Sequence, residues 1–238
     1  MKLDILALAA HPDDTELGCS GTIAAHVAAG KQVGIVDFTR GELGTRGTPT
    51  IREQEAEASR KLLGVAVREN LEFADGFFTN DREHQLEVVR MIRRYRPDVV
   101  LANAVHDRHP DHGRGAELAR DACFVAGLRK VETSWDGKPQ EAWRPARVYH
   151  YIQAHAIVPD FVVDISDYWE MKMKAIRSFA SQFAQEESEE PETYLTTPIF
   201  LQFIEARAKE LGHSIGVAYG EGFTAAQPLG VRQLEDIF

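Results

Sequence analysis

Two tetrapeptides of nearly identical composition, "HPDD" at 11–14 and "HPDH" at 109–112, hold the side chains of this chain best suited to chemistry. His11 and Asp14 are three apart, so a turn that tightens into a helix points both to one side while Asp13 points elsewhere. His109 and His112 repeat the spacing with Asp111 between them. Neutral imidazole and carboxylate are standard Zn²⁺ ligands, and a catalytic zinc keeps about three protein ligands plus a water. His11, Asp14 and His112 meet that count. Asp13 is then placed to take a proton from the activated water. His109 is left to stabilise an oxyanion or to protonate a leaving amine, and Asp111 to fix a histidine tautomer. A single His-Asp pair in a turn is ordinarily a cap. Two such pairs, each behind an apolar strand, are the signature of a shared site.

The elements that must position these loops follow from periodicity. Apolar runs of strand length at 3–10, 32–39, 70–74 and 98–103 alternate with helical patterns at 15–29, 52–63, 81–95 and 115–128. This predicts an α/β fold: a Rossmann-like, mostly parallel sheet with helices on both faces. Strands at 147–153 and 161–166 and helices at 167–183 and 197–211 form a small C-terminal extension, and no linker divides residues 1–238 into more than one domain. In such sheets ligands bind beyond the carboxyl ends of the strands where strand order reverses. The loops after the first and fourth strands are expected to meet there.

The totals exclude several partners. A formal net charge of −10 disfavours nucleic acid and anionic membranes. The apolar N-terminal stretch is too short to span a bilayer and precedes acids rather than a cleavage site, so a cytoplasmic protein is expected. Two cysteines without C-x-x-C spacing suggest neither a disulfide framework nor a thiolate zinc site. "HPDDTELG" lacks G-x-G-x-x-G and carries negative charge where a phosphate would sit, which disfavours a nucleotide-binding module. A non-catalytic metal protein leaves Asp13 without a task.

The two motifs, intact as "AHPDD" (10–14) and "RHPDH" (108–112), resemble the marks of the PIG-L/LmbE-like family of zinc-dependent N-acetylglucosamine deacetylases. "TRGELGTRGT" (39–48), "IREQEA" (51–56), "SQF" (181–183), "IEARAKELG" (204–212) and "GVAYGEGF" (216–223) are similar to the branch that deacetylates N-acetylglucosaminyl-malate in bacillithiol synthesis. The resemblance implies His11, Asp14 and His112 as zinc ligands, Asp13 as general base and His109 as acid or oxyanion partner. It also implies a homo-oligomer, often a hexamer, acting on a small-molecule sugar conjugate. Where some relatives carry a tyrosine in the last helix this chain has Phe200, so no phenol is expected there. His₂Asp sites also accept Fe²⁺, Co²⁺ or Mn²⁺.

Four further residues are expected at the substrate. Arg52 opens a helix, where a cation opposes the dipole unless it meets an anion, and is the candidate for gripping a substrate carboxylate bidentately. Arg108 flanks the second motif and is expected either there or paired with Asp107 or Glu42. Arg46 and Glu42, in a glycine-rich loop, are expected to line a sugar pocket. The acidic run within 184–193 reads as a solvated loop or a lid.

Overall fold

The computed structural model describes residues 1–183 and 190–234, so most of the acidic loop expected over 184–193 lies outside the described residues. In chain order the elements are β1 (Ile5–Ala9), α1 (Asp14–Ala28), β2 (Val33–Thr39), α2 (Pro49–Leu63), β3 (Val67–Phe73), α3 (Arg82–Tyr95), β4 (Val99–Ala102) and α4 (Pro110–Ala126). A short ribbon follows, β5 (Ser134–Trp135) with β6 (Lys138–Pro139), then β7 (Arg147–Tyr151), β8 (Phe161–Asp164), α5 (Trp169–Arg177), α6 (Ala180–Phe183), α7 (Pro198–Ser214) and β9 (Gly220–Ala225).

One seven-stranded sheet runs β3-β2-β1-β4-β7-β9-β8. The first five strands are parallel, and β9 runs antiparallel between β7 and β8. β1 and β2 are buried along their whole length, as strands covered on both faces must be. Leu6, Leu8, Val36 and Phe38 pack with Val88, Ile92 and Leu118 from α3 and α4 on one face. Ile5, Ala7 and Ile35 pack with Ile23 of α1, Leu63 of α2 and Ala175 of α5 on the other. The fold is therefore α/β with a mostly parallel central sheet and helices around it. Successive connections run one way from β1 to β3 and the other way from β4 to β7. The switch point between β1 and β4 is where the two motif loops emerge.

α2 and β3 each begin three residues earlier than the sequence pattern places them, and three elements depart further. α4 begins at Pro110, five residues before the expected start at 115, because His109 caps it by accepting the Asp111 N–H and Pro110 is preset for a first helical position. The second motif is thus the first turn of a helix rather than a loop. The helix expected over 167–183 ends at Arg177 and resumes at Ala180. β9 is a strand that the pattern does not predict, since glycines weaken it. Close approach demands one of them: a Cβ on Gly220 would lie 2.5 Å from Cγ1 of Val162 in β8.

β9 also mends a break in the helix that carries the first motif. α1 leaves helical geometry at Cys19 (φ −148°), which frees the N–H groups just beyond it. The Glu221 carboxylate accepts from Gly21 N at 3.0 Å and Thr22 N at 2.7 Å. Lys172 of α5 closes the cluster with Nζ 2.6 Å from Glu221 Oε1, and both side chains are almost fully buried. Glu221→Ala leaves the buried Lys172 cation without its carboxylate, with only the Glu16 and Leu17 carbonyls at 3.2 and 2.8 Å, so a loss of about 3–5 kcal/mol is expected in urea unfolding. A change below ~1 kcal/mol would show that the pair does not hold α1.

Candidate active site

The first motif turns at the end of β1 because His11 and Asp13 direct the chain into α1. The His11 N–H donates to Asp14 Oδ2 at 2.9 Å, and Asp13 holds φ 128°, a conformation rare for any residue but glycine. Such a strained residue persists only where its surroundings over-determine it. Asn103, just past β4, ties the two loops together. Its Oδ1 accepts the Ala10 N–H at 2.8 Å and its Nδ2 donates to Asp14 Oδ2 at 2.9 Å.

Around Asp14 the three expected ligands come together. His112 Nε2 lies 3.1 Å from Asp14 Oδ1, and His11 Nδ1 lies 3.5 Å from Asp14 Oδ2. Ligands about 2.1 Å from one tetrahedral ion stand about 3.4 Å apart, and the distances of the two imidazoles to Asp14 are of this size, each to a different oxygen of the carboxylate. The opposite nitrogen of each ring is backed by carboxylate. His11 Nε2 is 3.0 Å from Asp75 and 3.3 Å from Asp111, and His112 Nδ1 is 2.5 Å from Asp107. Carboxylates behind imidazoles are the usual support of a metal ligand, because they fix the tautomer and raise basicity. Two imidazoles and a carboxylate, so supported, fit a Zn²⁺-type ion.

Two groupings of three donor atoms lie within 4.8 Å of one another among the described residues, His11-His109-His112 and His11-Asp75-Asp111, and both contain His11. Asp75 also accepts the Leu43 N–H, and Asp111 accepts the Gly76 N–H and pairs with Arg114 at 2.6 Å, so these carboxylates hold His11 in place as well. Asp75, Asp107 and Gln153, whose Nε2 donates to Asp14 Oδ1 at 2.9 Å, are missed by sequence reasoning. Each stands at or just past the carboxyl end of a strand, on the edge where the motifs lie. That position is the signal that could have found them.

The protein's own groups set distinct charge states here. Burial pulls His11 down, but hydrogen bonds to Asp111, Asp14 and Asp75 outweigh it and raise it well above 6.5. Burial likewise opposes His112, yet Asp14 and Asp107 lift it to about 9. Asp14, despite burial, is held well below the usual carboxylate range by His112 and His11. Asp13 goes the other way: burial raises it to about 7 against the pull of Arg52. Burial and the neighbouring histidines lower His109. His109 Nδ1 accepts the Asp111 N–H at 3.3 Å, so a neutral ring carries its proton on Nε2 as a donor.

A cavity of about 540 Å³ opens over these groups, with His11, Asp13, Asp14, His109 and His112 in its floor. Arg46 lines it and lies 3.4 Å from Glu190. Arg108 lines it as an exposed cation 4.9 Å over the Tyr194 ring, paired with neither Asp107 nor Glu42. Arg52 lines the cavity too, but it is buried, with Nη2 donating to Pro12 O at 2.5 Å and lying 3.1 Å from Asp13, and Nη1 on Gly41 O at 3.4 Å. The anion its helix position calls for is thus met within the chain by Asp13. One expectation is corrected. Glu42 does not line the cavity; it accepts the Asp75 N–H at 2.8 Å and so carries the residue behind His11. Phe200 is buried behind the site, while Tyr194, on the rim, is a phenol that sequence reasoning does not place there.

Residues 6–123 match the family described as PIG-L, GlcNAc-PI de-N-acetylase. Diacetylchitobiose deacetylase of Thermococcus kodakarensis is 32% identical over 81% of this chain and 75% of its own length. The 4-oxalmesaconate hydratase of Pseudomonas putida is 28% identical over 74% of this chain and 73% of its own. The crystal structure of a conserved protein from Thermus thermophilus superposes with TM-score 0.86 at 37% identity, covering 98% of each chain.

Proposed function

Since this chain belongs to the PIG-L family of GlcNAc-PI de-N-acetylases, we propose that it is a metal-dependent hydrolase that removes acetate from an N-acetylated glucosamine conjugate. One observation carries this reading: His11 Nδ1 and His112 Nε2 converge on Asp14 in the floor of an open cavity, with the buried carboxylate of Asp13 beside them. His11, Asp14 and His112 would hold the ion, zinc by preference, with Fe²⁺, Co²⁺ or Mn²⁺ as alternatives. When bound, it supplies Lewis acidity toward the acetamide oxygen and the attacking water.

The chain's own residues supply the proton transfers. Asp13, raised toward neutrality by burial, accepts the proton of the attacking water. His109 presents Nε2–H to the oxygen on which charge develops. A neutral ring with a lowered pKa suits a hydrogen-bond donor better than a proton donor. Asp13, now protonated, returns its proton to the departing amine. Arg52 keeps Asp13 aimed and tempers its rise.

The finer reading is N-acetylglucosaminyl-L-malate, the substrate of the bacillithiol branch. The segments that resemble that branch support it, as does Arg108, the exposed cation of the cavity. The relative at 32% identity is named instead for a neutral disaccharide. Acetate release from the malate conjugate, diacetylchitobiose and a neutral N-acetylglucosamine methyl glycoside separates these readings. Arg108→Ala is expected to raise KM for the malate conjugate about tenfold, the worth of one charged contact, and to leave KM for the methyl glycoside unchanged. Equal effects on both would remove the carboxylate grip. Hydration of 4-oxalmesaconate with no acetate from any sugar would move the chain beside its hydratase relative. Assembly into a homo-oligomer, up to a hexamer, is proposed on resemblance and is read by light scattering.

A further inference from the structure

A cavity of about 210 Å³ lies at the amino end of the parallel strands, where Arg147 opens β7 and the antiparallel β9 ends at Ala225. The last turns of α4 form its other wall, through Arg120, Cys123 and Phe124. The motif loops leave the opposite, carboxyl end of the sheet, and the two cavities share no lining residue.

Every charged side chain in this lining is a cation: Arg120, Arg144 and Arg147. The Tyr149 phenol and the Gln227 amide beside them can both donate hydrogen bonds, and burial pushes the Cys123 thiol up to about 12, so it stays neutral. A chain of net charge −10 has thus gathered three guanidiniums in one cavity with no described carboxylate in its walls. Like charges so placed call for an anion between them.

The chain itself holds the arginines in position. Arg144 lies across the end of α4, with Nη2 donating to Phe124 O at 2.9 Å and the guanidinium 4.3 Å over the Phe124 ring. Gly127 makes room for it, since a Cβ there would fall 2.4 Å from Arg144 Nε. This seat also covers the negative end of the helix dipole, which would otherwise repel an anion. Arg120 rests Nε and Nη2 on Asp121 Oδ1 at 3.1 and 3.0 Å, and Asp121 also accepts from Asn80 Nδ2 at 2.8 Å. Arg147 turns Nη1 onto Ala146 O at 2.8 Å and pairs with no carboxylate among the described residues. Each guanidinium has five N–H donors, so donors remain on all three.

We propose that this cavity binds the phosphate group of a small phosphomonoester. Such a group carries about −1.5 to −2 charges at neutral pH, which suits several guanidiniums better than a monocarboxylate does, and its oxygens accept forked pairs of N–H donors. Phe124, Pro145 and Val148 give the body of the ester an apolar wall. A water needs roughly 10–15 Å³ of such space, so room for a ring remains beside the phosphate. The site stands whether or not the chain is a deacetylase.

The test is calorimetric titration of the full chain in low salt with phenyl phosphate, inorganic phosphate and benzoate. Phenyl phosphate is expected to bind more tightly than inorganic phosphate and at least tenfold more tightly than benzoate. Affinity equal to that of inorganic phosphate would assign the cavity to the free ion and overturn the ester, and affinity equal to that of benzoate would overturn the phosphate. Arg147→Gln and Arg120→Gln change exposed side chains and are each expected to weaken phenyl phosphate about tenfold, the worth of one charged contact, with metal content unchanged. A bound metal ion would also attract phosphate, so His112→Ala is titrated alongside and is expected to bind phenyl phosphate as the wild type does. Binding that survives both glutamine substitutions but disappears in His112→Ala would place the anion on the metal and overturn the proposal, as would binding of neither phosphate.

Discussion

Asp13→Asn is expected to lower kcat by about 10²–10⁴-fold, the usual share of a general base, while the purified variant keeps its full complement of metal. The substitution retains a carbonyl oxygen facing Arg52, 3.1 Å from the native carboxylate, so the guanidinium is not stranded without an acceptor. Asp13→Ala would mix lost chemistry with an exposed flaw in the loop. Elemental analysis alongside steady-state kinetics separates the two roles, since a ligand would lose metal and a base would not. The pH profile adds an independent sign. Asp13 must be ionised to accept a proton, and burial raises it to about 7. Activity is therefore present above that value and falls as pH drops through it. A divalent cation nearby favours the ionised form, so the acid limb of kcat/KM is expected at or below pH 7. In Asp13→Asn that limb should vanish from the residual rate. Full activity in the metal-replete variant would remove Asp13 from the mechanism.

How far the sequence discloses such a site depends on whether its parts are local. His11, Asp13 and Asp14 are legible because three positions within one strand-end tetrapeptide carry unusual residues, and the second tetrapeptide repeats them. The parallel sheet is legible because its central strands β1 and β4 are apolar throughout and β2 nearly so. Asp75 and Gln153 are not, because they reach His11 and Asp14 only through strand order, from 64 and 139 residues away. Arg52 is legible in part: the helix dipole calls for an anion beside a first-turn arginine, but only the fold shows that Asp13, with the Gly41 and Pro12 carbonyls, supplies it a buried seat. The pattern starts α4 late because the Pro110 and Gly113 segment reads as loop. Gly115, at the expected start, packs closely, since a Cβ there would lie 3.3 Å from Oδ1 of Asn103. What escapes the sequence is thus the set of contacts that hold the motifs, rather than the motifs.

His112→Ala is expected to remove both metal and turnover, and its contrast with Asp107→Asn tests the whole arrangement. In the alanine variant Asp14 loses the imidazole 3.1 Å away, which is the cation that holds its carboxyl low in the absence of an ion. Two protein donors remain, too few for the three that a catalytic zinc keeps. In Asp107→Asn the imidazole stays but loses the carboxylate 2.5 Å behind it, so metal affinity should fall about 10–100-fold without vanishing, and excess metal should restore turnover. The proton balance gives a further reading. Asp14 and Asp107 raise His112 to about 9, so in the absence of metal it is an imidazolium at neutral pH and must shed that proton to coordinate. Apparent metal affinity should then rise about tenfold per pH unit below 9 for each proton expelled. A competition titration against a chelator between pH 6 and 8 measures this slope. Metal retained at full stoichiometry by His112→Ala, with a slope unchanged from wild type, would mean that the ion sits elsewhere, and the roles given to Asp13 and His109 would fall with it.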